Sequence, residues 1–180
     1  MTADEYLALE DDGYRYELID GVVVMSPSPT PEHQDIRGEI EYQLRHYARQ
    51  TKAGAVLSEV DVRLDTRLVY RPDLVFIRTD RIRKPLKQVD IAPDLVLEVL
   101  SPGTEVFDQK TKRDDYERFG VAEYWLVDNE HRSVKFLRLL RGRFVDVIAA
   151  RGRFVSEAVP GFELDLASIN DAWREYDEPK

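Results

Sequence analysis

The stretch DLVLEVL at positions 94–100 is apolar at every position from Leu95 to Leu100 except Glu98. A strand with one wet face alternates apolar and polar residues, whereas a run apolar at consecutive positions is read as a strand covered on both faces. The stretch LVFI at 74–77 has the same character, and each run follows a Pro-Asp pair, with proline opening the strand. The chain must therefore build a sheet whose central strands are sandwiched between other layers, which implies a mixed α/β fold with helices packed on a sheet. Glu98 sits inside that sheet, and a lone carboxylate there is costly to bury unless it is paired, protonated or bound to a cation.

The flanking pattern agrees. Residues 3–10 read as a short helix, and YRYELIDGVVVMSP as a hairpin turning at Asp20-Gly21. Thr30 followed by Pro31 is a helix start, and Ile36, Ile40, Leu44 and Tyr47 recur at helical spacing, so a helix is expected over 31–50. AVLSEVDVRL (55–64) reads as one strand, ahead of PDLVFI and DLVLEVL. EVFDQKTKRDDYERFG reads as a helix closed by Gly120, and EYWLVD as a further strand. SVKFLRLLRGRFVDVIAARGRFVSE reads as a C-terminal β-meander turning near Gly142 and Gly152, and the residues from Glu175 on as a frayed end. The central order is helix, three strands, helix, strand, in one expected domain spanning 1–180 with its core at about 31–128.

The net charge of -9, from 35 acidic and 26 basic residues, repels nucleic acid at long range and argues against a nonspecific DNA coater. Basic residues do cluster at Arg78, Arg81, Arg83, Lys84 and Lys87 and at Lys110, Lys112 and Arg113, where the plain reading is a solvated loop and helix face. With no cysteine, any metal must sit on oxygen or histidine ligands. No apolar run approaches a membrane span, and the acidic start MTADEYLALEDD is unlike a secretory leader, so a cytoplasmic protein is expected. Walker, GxGxxG, GxSxG and HExxH motifs are all missing, which removes the commonest nucleotide-binding and hydrolase alternatives.

Glu98 needs a partner. Asp94 lies four residues away on the same strand, about 13 Å along it, too far to share a small cation. Asp73 belongs to a different strand, and neighbouring strands lie about 4.8 Å apart, so its carboxylate can meet that of Glu98 across the sheet. Lys112 shares a helical stripe with Asp108, Tyr116 and Phe119, either as an exposed ion pair with Asp108 or facing the sheet with its ammonium near the carboxylates. His33, in the first turn of the helix, is on the stripe of Ile36, Ile40 and Leu44 and should point inward. Glu17 lies on the hairpin face of Arg15 and Ile19, where a solvated residue with a basic neighbour is the plain reading.

The strings YELIDGVVVMSPSPTPEHQ, RPDLVFI, PDLVLEVLSP and GVAEYWLVD, with the spacing Asp108, Lys112, Tyr116, resemble the Uma family of restriction-endonuclease-like proteins, over about Tyr14 to Asp128. The resemblance implies the PD-(D/E)xK nuclease superfamily, with Asp73 as the acid of the PD pair and Glu98 as that of the (D/E)xK element. Leu100 stands where that pattern has lysine, and the resemblance moves the role to Lys112. It also implies site lining by Glu17 and His33, one Mg²⁺ or Mn²⁺ on Asp73, Glu98 and the Val99 carbonyl with Glu17 nearby, DNA as substrate, and a homodimer. Two other classes remain open from the sequence: a non-catalytic interaction module on the nuclease fold, and a phosphohydrolase of small substrates.

Overall fold

The computed structural model describes residues 1–83, 86, 88–101, 103 and 105–177. Lys84 and Lys87 of the first basic cluster and the last three residues of the expected frayed end lie outside the described residues.

After a short helix α1 (Ala3–Leu7), strands β1 (Arg15–Ile19) and β2 (Val22–Ser26) form the expected hairpin. Its two turn residues, Asp20 (φ 50°) and Gly21 (φ 81°), are both left-handed, as a two-residue turn matched to strand twist requires. Helix α2 (Pro31–Thr51) starts where Thr30-Pro31 places it, with the Thr30 side chain accepting from the His33 amide at 3.2 Å.

Strands β3 (Gly54–Ser58), β4 (Val62–Asp65), β5 (Leu68–Tyr70), β6 (Leu74–Arg78) and β7 (Leu95–Val99) follow. The segment expected as one strand over 55–64 is therefore two. The backbone leaves the first at Glu59, in a left-handed conformation (φ 53°), and β3 and β4 enter different sheets. A π-helical segment (Phe107–Lys112) runs into α3 (Arg113–Phe119), which ends at Gly120 (φ 80°) as expected. Strands β8 (Glu123–Asp128), β9 (Ser133–Leu140), β10 (Arg143–Val147), β11 (Arg153–Val155) and β12 (Glu163–Asp165) lead to α4 (Leu166–Arg174). The C-terminal meander is only a β9–β10 hairpin, because β11 pairs with β12 and not with β10.

The large sheet has the order β10-β9-β8-β7-β6-β3, with β7 and β8 parallel and the other neighbours antiparallel. The small sheet has the order β2-β1-β5-β4. Alternation along the central strands assigns the two faces. Leu74, Phe76, Leu95, Leu97, Val99, Trp125 and Val127 pack with Ile36, Ile40 and Leu44 of α2 and Ile169 and Trp173 of α4. Val75, Ile77, Val96, Tyr124 and Leu126 pack with Tyr116 of α3 and Leu68 and Tyr70 of the small sheet. Both faces are dry, which is why 74–77 and 95–100 are apolar at consecutive positions.

At the sheet edge, Gly54 lets β3 lie close to β6. A Cβ there would sit 2.3 Å from the Ile77 carbonyl oxygen and 2.6 Å from the Phe76 ring. In the centre, β6 and β7 pair Leu74 with Leu97 and Val75 with Val96. Continuing that register one residue outward sets Asp73 opposite Glu98.

Candidate active site

Glu98 shares the face of Val96 on β7, and Asp73 enters β6 directly across from it. The two are knitted together by backbone amides. The Asp73 N–H donates to Glu98 Oε2 at 3.3 Å, and the Val99 N–H donates to Asp73 Oδ2 at 2.8 Å. His33, one turn into α2, places Nε2 3.2 Å from Asp73 Oδ2. Its Nδ1 is buried with no hydrogen-bond partner among the described residues. Arg15 of β1 holds Nη2 3.4 Å from Asp73 Oδ1.

Lys112 comes from the π-helical segment, and its ammonium lies 3.0 Å from Glu98 Oε1, 3.0 Å from Glu17 Oε1 and 3.3 Å from Asp108 Oδ1. The rings of Tyr70 and Phe107 lie 5.4 and 5.9 Å from it, close enough for cation–π attraction. The wider π turn presents both Asp108 and Lys112 inward, and both are buried; such turns recur at functional sites. The Tyr116 hydroxyl, one turn on, donates to Glu98 Oε1 at 3.3 Å. Glu17 Oε1 also accepts the Arg71 amide at 2.9 Å.

Except for Tyr70 and Tyr116, these residues line one cleft with about 60 Å³ of room for water, to which Ser26, Pro27 and Pro29 also contribute. That is space for several water molecules. Negative charge exceeds positive charge here. Burial pushes the Glu98 carboxyl well above its ordinary range, and anionic Asp73, Asp108 and Glu17 add to this against the pull of Lys112. Asp73 goes the other way: burial opposes its ionisation, but His33, the Val99 amide and Arg15 hold its carboxyl below the ordinary value. The Lys112 ammonium is held well above its usual range, because Glu98, Glu17 and Asp108 outweigh its burial. Two carboxylates pushed apart by their surroundings are a pattern typical of sites that do chemistry.

Glu123 gives an internal comparison. It is fully buried, yet each oxygen is matched by donors. Oε1 receives Arg138 Nε at 3.0 Å and the Glu157 amide at 2.8 Å, and Oε2 receives Ser156 Oγ at 2.7 Å and Trp125 Nε1 at 3.2 Å. A carboxylate so supplied fastens strands together and asks for no cation. Glu98 also has donors, the Asp73 amide, Lys112 and Tyr116, but unlike Glu123 it is crowded by Asp73, Asp108 and Glu17.

Asp73, Glu98, Val99, Lys112, Glu17 and His33 are thus brought to one place, and Glu17 is buried, not solvated. Asp94 lies at the other end of β7, where it takes the Arg78 amide at 2.8 Å and Arg81 Nη1 at 2.8 Å. That pairing, with Asp80 on Arg78, neutralises Arg78 and Arg81 of the first basic cluster. Arg15 and Asp108 also belong to the site. The sequence showed Asp108 only as a stripe neighbour of Lys112, and Arg15 only as a neighbour of Glu17.

Among the described residues, no three His, Asp or Glu side chains converge on one point that would hold a metal ion. The cleft instead offers two facing carboxylates, with Val99 in its lining. These are hard oxygen donors within an excess of negative charge, and they fit a small divalent ion, since Mg²⁺ is commonly held by one or two carboxylates and keeps several waters.

The sheet order defines a mixed α/β protein. A crystal structure of a putative nuclease belonging to DUF820, from Anabaena variabilis ATCC 29413, superimposes with a TM-score of 0.80 at 20% identity, over 96% of this chain and 99% of the other. The model of the Uma2 family, described as putative restriction endonuclease, matches residues 3–167, and the chain belongs to that family. No curated protein matches the sequence. No helix among the described residues is long and apolar enough to cross a membrane.

Proposed function

We propose that the protein is an endonuclease that hydrolyses phosphodiester bonds in DNA and requires Mg²⁺ or Mn²⁺. One observation carries the reading: Asp73 and Glu98 face each other across β6 and β7 in a cleft where their charge, with that of Glu17 and Asp108, exceeds what Lys112 offsets. Family membership and fold support it.

Asp73, Glu98 and the Val99 carbonyl would hold the ion, with Glu17 joining through water. When bound, the ion would lower the pKa of a coordinated water and offset charge on the phosphate. Lys112, fixed by its carboxylates and by the Tyr70 and Phe107 rings, acts through its charge, which favours the negative charge growing on the phosphate oxygens. Tyr116 holds the Glu98 carboxylate in its rotamer. His33 fixes Asp73 through Nε2 and keeps Nδ1 for the phosphate or the leaving oxygen.

The test is purified protein on labelled DNA with Mn²⁺ and with EDTA. Cleavage with Mn²⁺ that disappears in Asp73→Ala and Glu98→Ala supports the reading; cleavage unchanged in either variant overturns the assignment.

A further inference from the structure

Resting on the phosphodiesterase reading, we propose that Arg15 is the phosphate-binding residue of the cleft, leaving Asp73 to grip the substrate phosphate beside it.

Lys112, Arg71 and Arg15 are the lysine and arginine residues of the cleft lining. Lys112 is buried and saturated, with three carboxylates at 3.0–3.3 Å. Arg71 also lines the cleft, and its Nε, without a well-aligned hydrogen bond, faces Asp61 Oδ1 at 3.2 Å, closer than either carboxylate contact of Arg15. Arg15 is held loosely. Its contacts are Asp73 Oδ1 at 3.4 Å and Glu59 Oε1 at 3.9 Å, one from each Nη, at the long end for charged partners. Its Nε is buried with no hydrogen-bond partner, an expensive state for a guanidinium. The side chain is also 19% exposed and lines the cleft.

A guanidinium fork with long Nη contacts and an idle Nε matches a phosphodiester, whose two non-bridging oxygens accept two parallel N–H bonds. In the protein alone, Arg15 lends Asp73 a positive neighbour. Arg15 would give up Asp73 Oδ1 to a cation held by Asp73, and its fork would then be open to a phosphate oxygen. The other acids leave the cleft hostile to a polyanion, so a cation next to Asp73 matters for substrate capture as well as for charge in the transition state.

The test compares wild type with Arg15→Gln and Arg15→Lys. A fluorescein-labelled DNA duplex is titrated with Ca²⁺ in place of Mg²⁺, at several salt concentrations, and Mn²⁺ binding is measured separately by calorimetry without DNA. Arg15→Gln should weaken DNA binding about ten- to a hundredfold and lower the salt slope by about one. Arg15→Lys should keep the slope and recover only part of the affinity. Mn²⁺ should bind Arg15→Gln at least as tightly as wild type, since a competing cation is gone. DNA affinity and salt slope unchanged in Arg15→Gln, or Mn²⁺ affinity falling with them, overturns the inference. If Arg15→Gln binds DNA as wild type does while Asp73→Ala still abolishes Mn²⁺-dependent cleavage, the inference fails and the nuclease reading stands. If wild type neither binds nor cuts DNA, that reading falls and takes the inference with it.

Discussion

Lys112 Nζ lies 3.0 Å from Glu98 Oε1, although one residue is on a helical segment and the other in the centre of the sheet. Leu100 stands two residues beyond Glu98, so the ammonium beside the acid comes from the π-helical segment and not from the strand itself.

Lys112→Met should abolish cleavage and leave Glu98, Glu17 and Asp108 without their shared counter-charge. Removing one side of a buried charge cluster costs about 3–5 kcal/mol. A divalent ion can stand in for the lost charge, so the fall in Tm should be larger in EDTA than in Mn²⁺. Thermal melts under the two conditions measure the difference; equal losses would mean that the lysine does not offset the acids.

Glu98→Gln should give an inactive but more stable protein, with Tm higher by about 2–6 °C at neutral pH. The sign follows from linkage. The folded-state value of Glu98 lies above the ordinary 4.5, so its contribution to stability is complete below that pH and is lost as pH rises towards the folded value. The Tm gap between variant and wild type should therefore be near zero in acid and widen as pH rises. A gap constant with pH would show that Glu98 is not strained by ionisation.

Divalent ions should raise the wild-type Tm in proportion to the logarithm of their concentration once binding is saturated. Asp73→Ala should lose most of that dependence. A full metal response in Asp73→Ala, read by differential scanning calorimetry, would place the ion elsewhere.

Glu123→Ala should do the reverse of a site variant. Arg138, Ser156 and Trp125 lose their acceptor, at a cost of about 3–5 kcal/mol, while DNA cleavage per folded molecule stays at the wild-type level. Urea unfolding and specific activity measured on one preparation separate the two effects.

Gly54→Ala should destabilise by about 1–3 kcal/mol, because the added methyl meets the Ile77 carbonyl and the Phe76 ring in a packed layer. Chemical unfolding provides the number, and a neutral result would mean that β3 moves away from β6 without loss.

Much of this was legible in the chain because it is local. Thr30-Pro31 fixes a helix start, Asp20-Gly21 a turn and Gly120 a helix end by backbone chemistry within a few residues. Glu98 stood out because its neighbours are apolar on both faces, and strand spacing was enough to choose Asp73 over Asp94. What escaped is set by distant contacts or by one aberrant residue. Val56 and Val62 sit on what looks like one run until Glu59 turns the backbone left-handed. The π turn at 107–112 changes the helical pitch without changing composition. RGRF at 151–154 has ordinary turn chemistry, and only packing decides that β11 pairs with β12. Glu123 reads as the start of a strand because its donors Arg138 and Ser156 are 15 and 33 residues away. Arg15 looked like a solvated neighbour of Glu17, since no local pattern marks a guanidinium as loosely held.

The pairing of β6 with β7 also acts as a safeguard. Side chains on a strand alternate faces, so a copy in which these strands meet one residue out of step turns Glu98 towards α2 or sets it against a different partner. Such a copy keeps every residue the chemistry needs and has no working centre. On the nuclease reading proposed above, nascent, slipped or partly unfolded chains would be chemically silent, and cutting power would come only with the finished sheet.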